Sequence, residues 1–249
     1  MAVSIKSARE IELMREAGRL LALVHDELGK AIEPGMSTKE VDELGEKMIR
    51  GFGCVPNFLH YNGYPASICV SVNNEVVHGI PRKDRFLKEG DIVSLDAGLI
   101  YKGYHSDAAR THAVGKISPE AQKLIEVTRQ SFFEGIKMAK AGYHLHDISA
   151  AIDAYVSQFG YGIVRDLVGH GIGTSLHEDP QIPNFAQKRR GVRLQAGMTL
   201  AIEPMINAGG WEVDFQKDGW TVVTRDGSLS AHYENTILVT DGEPEILTL

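Results

Sequence analysis

Two stretches of this 249-residue sequence end an apolar run on a carboxylate. One is Leu87-Lys88-Glu89-Gly90-Asp91-Ile92-Val93-Ser94-Leu95-Asp96, and the other is Leu194-Gln195-Ala196-Gly197-Met198-Thr199-Leu200-Ala201-Ile202-Glu203. Beyond Asp96, Lys102-Gly103 suits a two-residue hairpin turn, which would set Ala109 opposite Asp96 and Asp107 two residues away on the same face. Glu234 opens a further strand-like run, Asn235-Thr236-Ile237-Leu238-Val239, after a longer excursion from Glu203. If the two acid-tipped strands are neighbours, four carboxylates converge. Like charges in a low dielectric raise each other's pKa, so such a cluster either holds protons or surrounds cations, and divalent metals are the usual answer. His170, in Val168-Gly169-His170-Gly171-Ile172-Gly173, reads as a strand-ending imidazole among glycines that let backbone approach closely. Four oxygen donors and one nitrogen are enough for two metals with bridging carboxylates. A lone acid at a strand end is ordinarily a solvated turn residue, and a lone histidine among glycines is more often a satisfied buried side chain. The joint pattern is what points to metal chemistry.

Two more histidines stand out, His78 in Val76-Val77-His78-Gly79-Ile80-Pro81 and His177 in Leu176-His177-Glu178-Asp179-Pro180. Each reads as following an extended segment and preceding a proline turn. A substrate-facing role fits them, although loop histidines at a surface are the commoner case.

The elements that must carry these residues follow from caps and periodicity. Ser7-Ala8-Arg9-Glu10 is a capping-box pattern ahead of Ile11, Met14, Ala17, Leu21, Val24 and Leu28 at helical spacing, and Pro34-Gly35 lies beyond the stop. A second helix starts near Ser37 or Thr38 and ends in Gly51-Phe52-Gly53. Strands are expected over 68–78, 91–97 and 104–114. Ser118-Pro119-Glu120 opens a third helix, expected to close at Gly142, and a fourth covers about 147–159. Strands return at 163–168, 198–203, 211–215, 220–224 and 231–239. At an ungapped offset of 107 residues Gly35 meets Gly142, Phe52 meets Phe159, Gly53 meets Gly160, Gly90 meets Gly197 and Asp96 meets Glu203. These are helix stops, loop glycines and strand-end acids, so an internal duplication is read, with two halves at about 1–115 and 116–249 merged into one α+β domain.

Composition narrows the classes. A net charge of −7 disfavours a sequence-independent nucleic-acid binder, which needs a basic surface. With 43% hydrophobic and 24% charged residues the chain is ordinary for a globular protein. Cys54 and Cys69 are too few for a disulfide framework. No apolar run approaches the roughly 20 residues that span a bilayer, and no signal-peptide h-region is evident. A soluble cytoplasmic protein is expected.

With these residues in hand, the chain resembles the methionine aminopeptidases, specifically the short bacterial type I form. The resemblance rests on Asn62-Gly63-Tyr64-Pro65-Ala66-Ser67-Ile68-Cys69, Val76 to Pro81, Gly90-Asp91-Ile92-Val93, Gly169 to Gly173, His177 to Pro180 and Ile202-Glu203-Pro204, in that family's order over nearly the whole chain. It implies the pita-bread fold, an antiparallel curved sheet covered by two helix pairs with internal pseudo-two-fold symmetry. It implies removal of N-terminal methionine from nascent proteins whose second residue is small. Five ligands for two divalent ions (manganese, iron, cobalt or zinc) would fall on Asp96, Asp107, His170, Glu203 and Glu234, with Asp107 and Glu234 bridging. Glu203 would also move the proton, and His78 and His177 would contact substrate and support catalysis. The methionine pocket would be lined by Phe58, Tyr61, Tyr64, Cys69, Leu176 and Trp220. Phe58 stands where some relatives have cysteine, and Leu176 where many have phenylalanine, which bears on pocket shape. The resemblance implies nascent polypeptides as partners and a monomer, with no membrane and no specific nucleic-acid binding. The basic run Lys188-Arg189-Arg190 could touch ribosomal RNA, but a solvated loop is the preferred account. Two other readings stand beside this one: a pita-bread domain that binds peptides without catalysis, disfavoured because all five ligands are present, and an X-Pro dipeptidase.

Overall fold

The computed structural model describes residues 3–249. Helix α1 (Ala8–Ala31) and helix α2 (Thr38–Gly51) each start on a complete capping box, Ser7 with Glu10 and Ser37 with Glu40. Each box satisfies backbone N–H groups that a helix start leaves unpaired. Strands β1 (Val55–Pro56), β2 (Ile68–Val72), β3 (Glu75–Val77), β4 (Ile92–Tyr101) and β5 (Tyr104–Ala113) follow. The second helix pair is α3 (Pro119–Ile136) and α4 (Leu145–Val156). Then come β6 (Gly162–Ile163), β7 (Gly169–Gly171), β8 (Glu178–Ile182), β9 (Thr199–Ile202), β10 (Met205–Asn207) and β11 (Val213–Phe215). The chain closes with β12 (Val222–Thr224), β13 (Ser230–His232), β14 (Glu234–Leu238) and β15 (Glu245–Ile246).

The main sheet runs β1-β4-β5-β14-β9-β7-β8, with β2 also on β4 and β15 also on β14, and its pairings are antiparallel. Two apolar cores lie under the helix pairs. One packs Leu21, Val24, Leu28, Val41 and Ile49 against Ile68, Val93 and Leu95. The other packs Leu124, Phe132, Ile148 and Ile152 against Leu200, Ile202 and Ile237.

The offset seen in the sequence reappears as register. Val55↔Ile100 and Pro56↔Leu99 join β1 to β4, and 107 residues later Gly162↔Asn207 and Ile163↔Ile206 join β6 to β10. Gly90 and Gly197 sit at φ +94 and +92, and Gly35 and Gly142 at +92 and +94, a region that side chains with a Cβ rarely enter. The offset is lost after β10, because residues 208–229 carry β11, β12 and their turns before β13 rejoins.

Four local expectations are corrected. The third helix stops at Ile136, short of Gly142, because Ala141 N–H is captured by Thr240 O and Gly142 N–H by Leu194 O, both at 2.9 Å. The 68–78 run divides at a turn where Asn73 has φ +60. The 163–168 run shrinks to β6, and β7 starts only at Gly169, which leaves His170 mid-strand rather than strand-ending. The 231–239 run breaks at Tyr233, whose N–H goes to Pro204 O at 3.2 Å, so β13 and β14 belong to different sheets, while Glu234 opens its strand as expected.

Candidate metal centre

The two-residue turn at Lys102-Gly103 closes the β4–β5 hairpin with Tyr101↔Tyr104, and the register that follows puts Asp96 opposite Ala109. On the other side of β5, Ala109 faces Glu234. Asp96, Ala109 and Glu234 thus form one row across three strands, with Asp107 one same-face step along β5. Ala109 is fully buried and too small to separate the acids on either side. Asn235 pairs with Ile202, which brings Glu203 beside Glu234, and His170 pairs with Ala201 two residues before Glu203.

Donor atoms of Asp107, His170 and Glu234 all lie within 4.8 Å of one another. His170 Nε2 stands 3.5 Å from Glu203 Oε1 and 3.8 Å from Asp107 Oδ2. His170 Nδ1 donates to Gly171 O at 2.9 Å, so Nε2 offers its lone pair to the cluster. Burial pushes the Asp96 carboxyl up to about 7. Burial, with Asp96 and Glu203 alongside, holds Asp107 well above the carboxylate range. Glu203 is raised by burial and by Asp96, and Glu234 by burial and by Asp107, Glu203 and Asp96. Burial takes His170 down to about 3, keeping it neutral. Asp96 Oδ1, Asp107 Oδ1 and Glu234 Oε1 are buried without any hydrogen-bond partner. Unpaired buried oxygens of that kind are costly, and hard or borderline cations answer them. This donor set fits divalent ions.

The cluster forms the floor of a cavity of about 440 Å³. Phe58, Tyr61, Tyr64, Cys69, Leu176 and Trp220 line its walls, together with His78 and His177. Tyr64 and Trp220 meet edge to face at 5.1 Å, and Trp220 meets the His78 ring at 6.2 Å in the same manner. Tyr64 Oη donates to Gly79 O at 2.9 Å, which ties the wall to the segment carrying His78. His78 itself lies at φ +58, a left-handed conformation held for a non-glycine residue. Tyr61 Oη lies 2.8 Å from His177 Nδ1, and the His177 and His170 rings are 4.2 Å apart. Burial pushes His78 down to about 4 and lowers His177 as well.

All thirteen residues singled out in the sequence line this one cavity. The expected setting of His177 is different, however: no strand precedes it, β8 begins just after it, and Pro180 lies inside β8 rather than at a turn. Asn62 and Gln181 also line the cavity and were not anticipated, although Asn62 stands within a quoted block. His232 was passed over too. Its Nε2 is 3.9 Å from Glu203 Oε2, neither ring nitrogen has a hydrogen-bond partner, and no local spacing signals it, because the chain changes sheets between His232 and Glu234. Lys188, Arg189 and Arg190 are exposed, and Arg190 pairs with Asp147 at 3.0 Å.

Fold and site together define a metallopeptidase of pita-bread architecture. The model of metallopeptidase family M24 matches residues 12–241. Methionine aminopeptidase of Clostridium acetobutylicum is 54% identical over 247 residues, covering 99% of this chain and 99% of its own. Among solved structures, methionine aminopeptidase from Rickettsia prowazekii superposes with a TM-score of 0.97 at 40% identity, with both chains covered completely. That of Thermotoga maritima gives 0.97 at 47% identity and 99% of each chain. The chain belongs to metallopeptidase family M24 and, within it, to the methionine aminopeptidases. Family membership implies use of divalent metal. No helix among the described residues is long and apolar enough to cross a membrane.

Proposed function

We propose that this chain, as a single catalytic domain and a monomer in the cytoplasm, removes N-terminal methionine from nascent proteins whose second residue is small. The observation that carries the reading is the cavity itself, with five converging donors at its floor and aromatic and sulfur-bearing walls above. Sequence identity to methionine aminopeptidases over the whole chain supports it. Asp96, Asp107, His170, Glu203 and Glu234 would hold two divalent ions, drawn from manganese, iron, cobalt or zinc. Such ions, when bound, supply Lewis acidity for the scissile carbonyl and lower the pKa of water.

The chain's own groups do the rest. Glu203 takes the proton of the attacking water and returns it to the leaving amine nitrogen. In the tautomer in which His177 Nδ1 accepts from Tyr61 Oη, 2.8 Å away, Nε2 carries the proton and donates to the developing oxyanion. His78, braced by Trp220, positions the scissile amide. Ring edges of Tyr61, Tyr64 and Trp220 give a thioether sulfur contacts worth about 0.3–1.5 kcal/mol each, and Cys69 leaves room at the base. Lys188, Arg189 and Arg190 belong to a solvated loop, since Arg190 already has an acidic partner on this chain.

The deciding measurement strips the protein of metal, restores each ion in turn under anaerobic conditions, and offers Met-Ala-Ser and Ala-Pro substrates. Cleavage of Met-Ala-Ser that depends on restored metal is expected. Preferential cleavage of Ala-Pro would move the chain to the dipeptidases, and no cleavage with any ion would favour a binding module.

A further inference from the structure

Behind the carboxylates, strand β5 parts from β14. The ladder between them ends at Asn235↔Ala108, and at the next position, where Thr236 faces Asp107, a side chain replaces backbone pairing. Thr236 Oγ1 accepts from Asp107 N–H at 3.0 Å and donates to Asp107 O at 2.9 Å. Both backbone groups of one central carboxylate residue are therefore held by a single hydroxyl. Past this point β15 takes over beside β14, with Ile237↔Ile246.

Thr236 is itself latched from that side. Its C=O accepts from Leu247 N–H at 2.9 Å, and its N–H donates to Thr248 Oγ1 at 3.2 Å. Thr248 Oγ1 donates in turn to Asn235 Oδ1 at 2.9 Å, an oxygen that also accepts from Arg110 Nη2 at 2.6 Å. The same guanidinium reaches Ala109 O at 2.8 Å, Thr248 O at 3.1 Å and the backbone oxygen of Glu234. Asn235, Thr236 and Thr248 have no exposed surface. One buried network thus grips the backbones of Asp107 and Glu234, whose side chains carry unpartnered oxygens into the cluster.

A hydroxyl interposed between two strands sets their separation differently from a continued ladder. That separation fixes how far the Asp107 carboxylate stands from Glu234. We infer that Thr236, latched by Thr248, is a positioning residue of the divalent-ion site. The inference rests on reading Asp107 and Glu234 as ion ligands. Valine at position 236 keeps the branched shape but leaves the N–H and C=O of Asp107 buried without partners, and the backbone must shift to satisfy them.

The test titrates cobalt chloride into the chelator-treated full chain and records both the calorimetric affinity and the visible cobalt spectrum. T236V should bind cobalt about 10–100-fold more weakly with a displaced spectrum, the usual cost of losing a group that orients a ligand. T236S, which restores the hydroxyl, should return to within about threefold of the parent by the same reasoning. D107N serves as the control for the underlying reading. If D107N binds cobalt like the parent, the ligand assignment fails. If D107N loses binding while T236V keeps parental affinity and spectrum, only the positioning role is overturned. A merely structural role would lower the urea midpoint of the chelated protein and leave affinity and spectrum unchanged, which also overturns it. Should T236V not fold, T248V decides: it removes the latch and keeps the bridging hydroxyl, so a several-fold loss rescued by T248S is expected, and an unchanged spectrum and affinity would refute the inference.

Discussion

His177 and Trp220 separate two kinds of contribution at the level of single side chains. His177 lies against the His170 ring and bonds to Tyr61, but it is not one of the five donors. Replacing it with alanine should lower kcat about 10²–10³-fold, the scale of a lost oxyanion donor, with metal content unchanged. Parallel kinetics and metal analysis check this, and matched losses of metal and activity would place His177 among the ligands instead. Trp220 touches both Tyr64 and His78 and walls the cavity. Trp220→Ala should raise KM for Met-Ala-Ser and erode the preference over Leu-Ala-Ser, since side-chain fit of this kind carries about 1–3 kcal/mol of discrimination. A retained Met/Leu ratio would reduce Trp220 to ordinary packing.

The helix pairs show how a duplicated element keeps its fit after its residues diverge. Where α1 meets α2, Gly45 lies beside Leu28 and Ile68; 107 positions on, where α3 meets α4, Gly135 lies beside Ile152 and Ile148. The offset equates Leu28 with Gly135 and Gly45 with Ile152, so large and small have changed places across equivalent crossings. A Cβ at Gly135 would fall 2.6 Å from Ile152 Cγ1, closer than packed carbons approach. Gly135→Ala gains helix propensity of about 1 kcal/mol yet should destabilise the protein by about 1–3 kcal/mol through overpacking. Ile152→Ala in the same chain, which removes both Cγ1 and Cδ1, should recover part of that loss, giving a non-additive pair in urea unfolding with an unchanged m-value. Additive effects would mean that the two helices adjust freely.

For the molecule as a whole, the acidic cluster makes stability depend on pH and metal together. Its carboxyls have folded-state pKa values above their unfolded ones, about 7 for Asp96, with Asp107, Glu203 and Glu234 also held well above the ordinary carboxylate range. Without metal, the folded state then keeps protons that the unfolded chain has released, and stability falls as pH rises from about 4 through those folded values. The buried histidines act the other way: His170 and His232 at about 3 and His78 at about 4 weaken the fold as pH drops below about 6.5. Between about 4 and 6.5 the two effects oppose, and above 6.5 only the carboxyls remain. The urea midpoint of chelated protein should therefore fall from pH 6.5 to 8, while manganese-loaded protein, its carboxylates already ionised against cations, should stay nearly level. A flat chelated profile would mean that the acids do not share protons as their burial requires. Much of this site could be read in the linear sequence, because local rules set its first steps: two capping serines, a two-residue turn that fixes the Asp96↔Ala109 register, and glycines at matched left-handed positions. The end of α3, the break at Tyr233 and the place of His232 could not be read that way. Each is decided by a partner distant in sequence: Thr240 and Leu194 capture the backbone past Ile136, Pro204 takes the Tyr233 N–H, and Glu203 faces the His232 ring. Caps, turns and periodicity are energies between near neighbours, and the sequence determines them directly, whereas where a strand breaks depends on which distant backbone satisfies a buried N–H, and only the tertiary structure decides that.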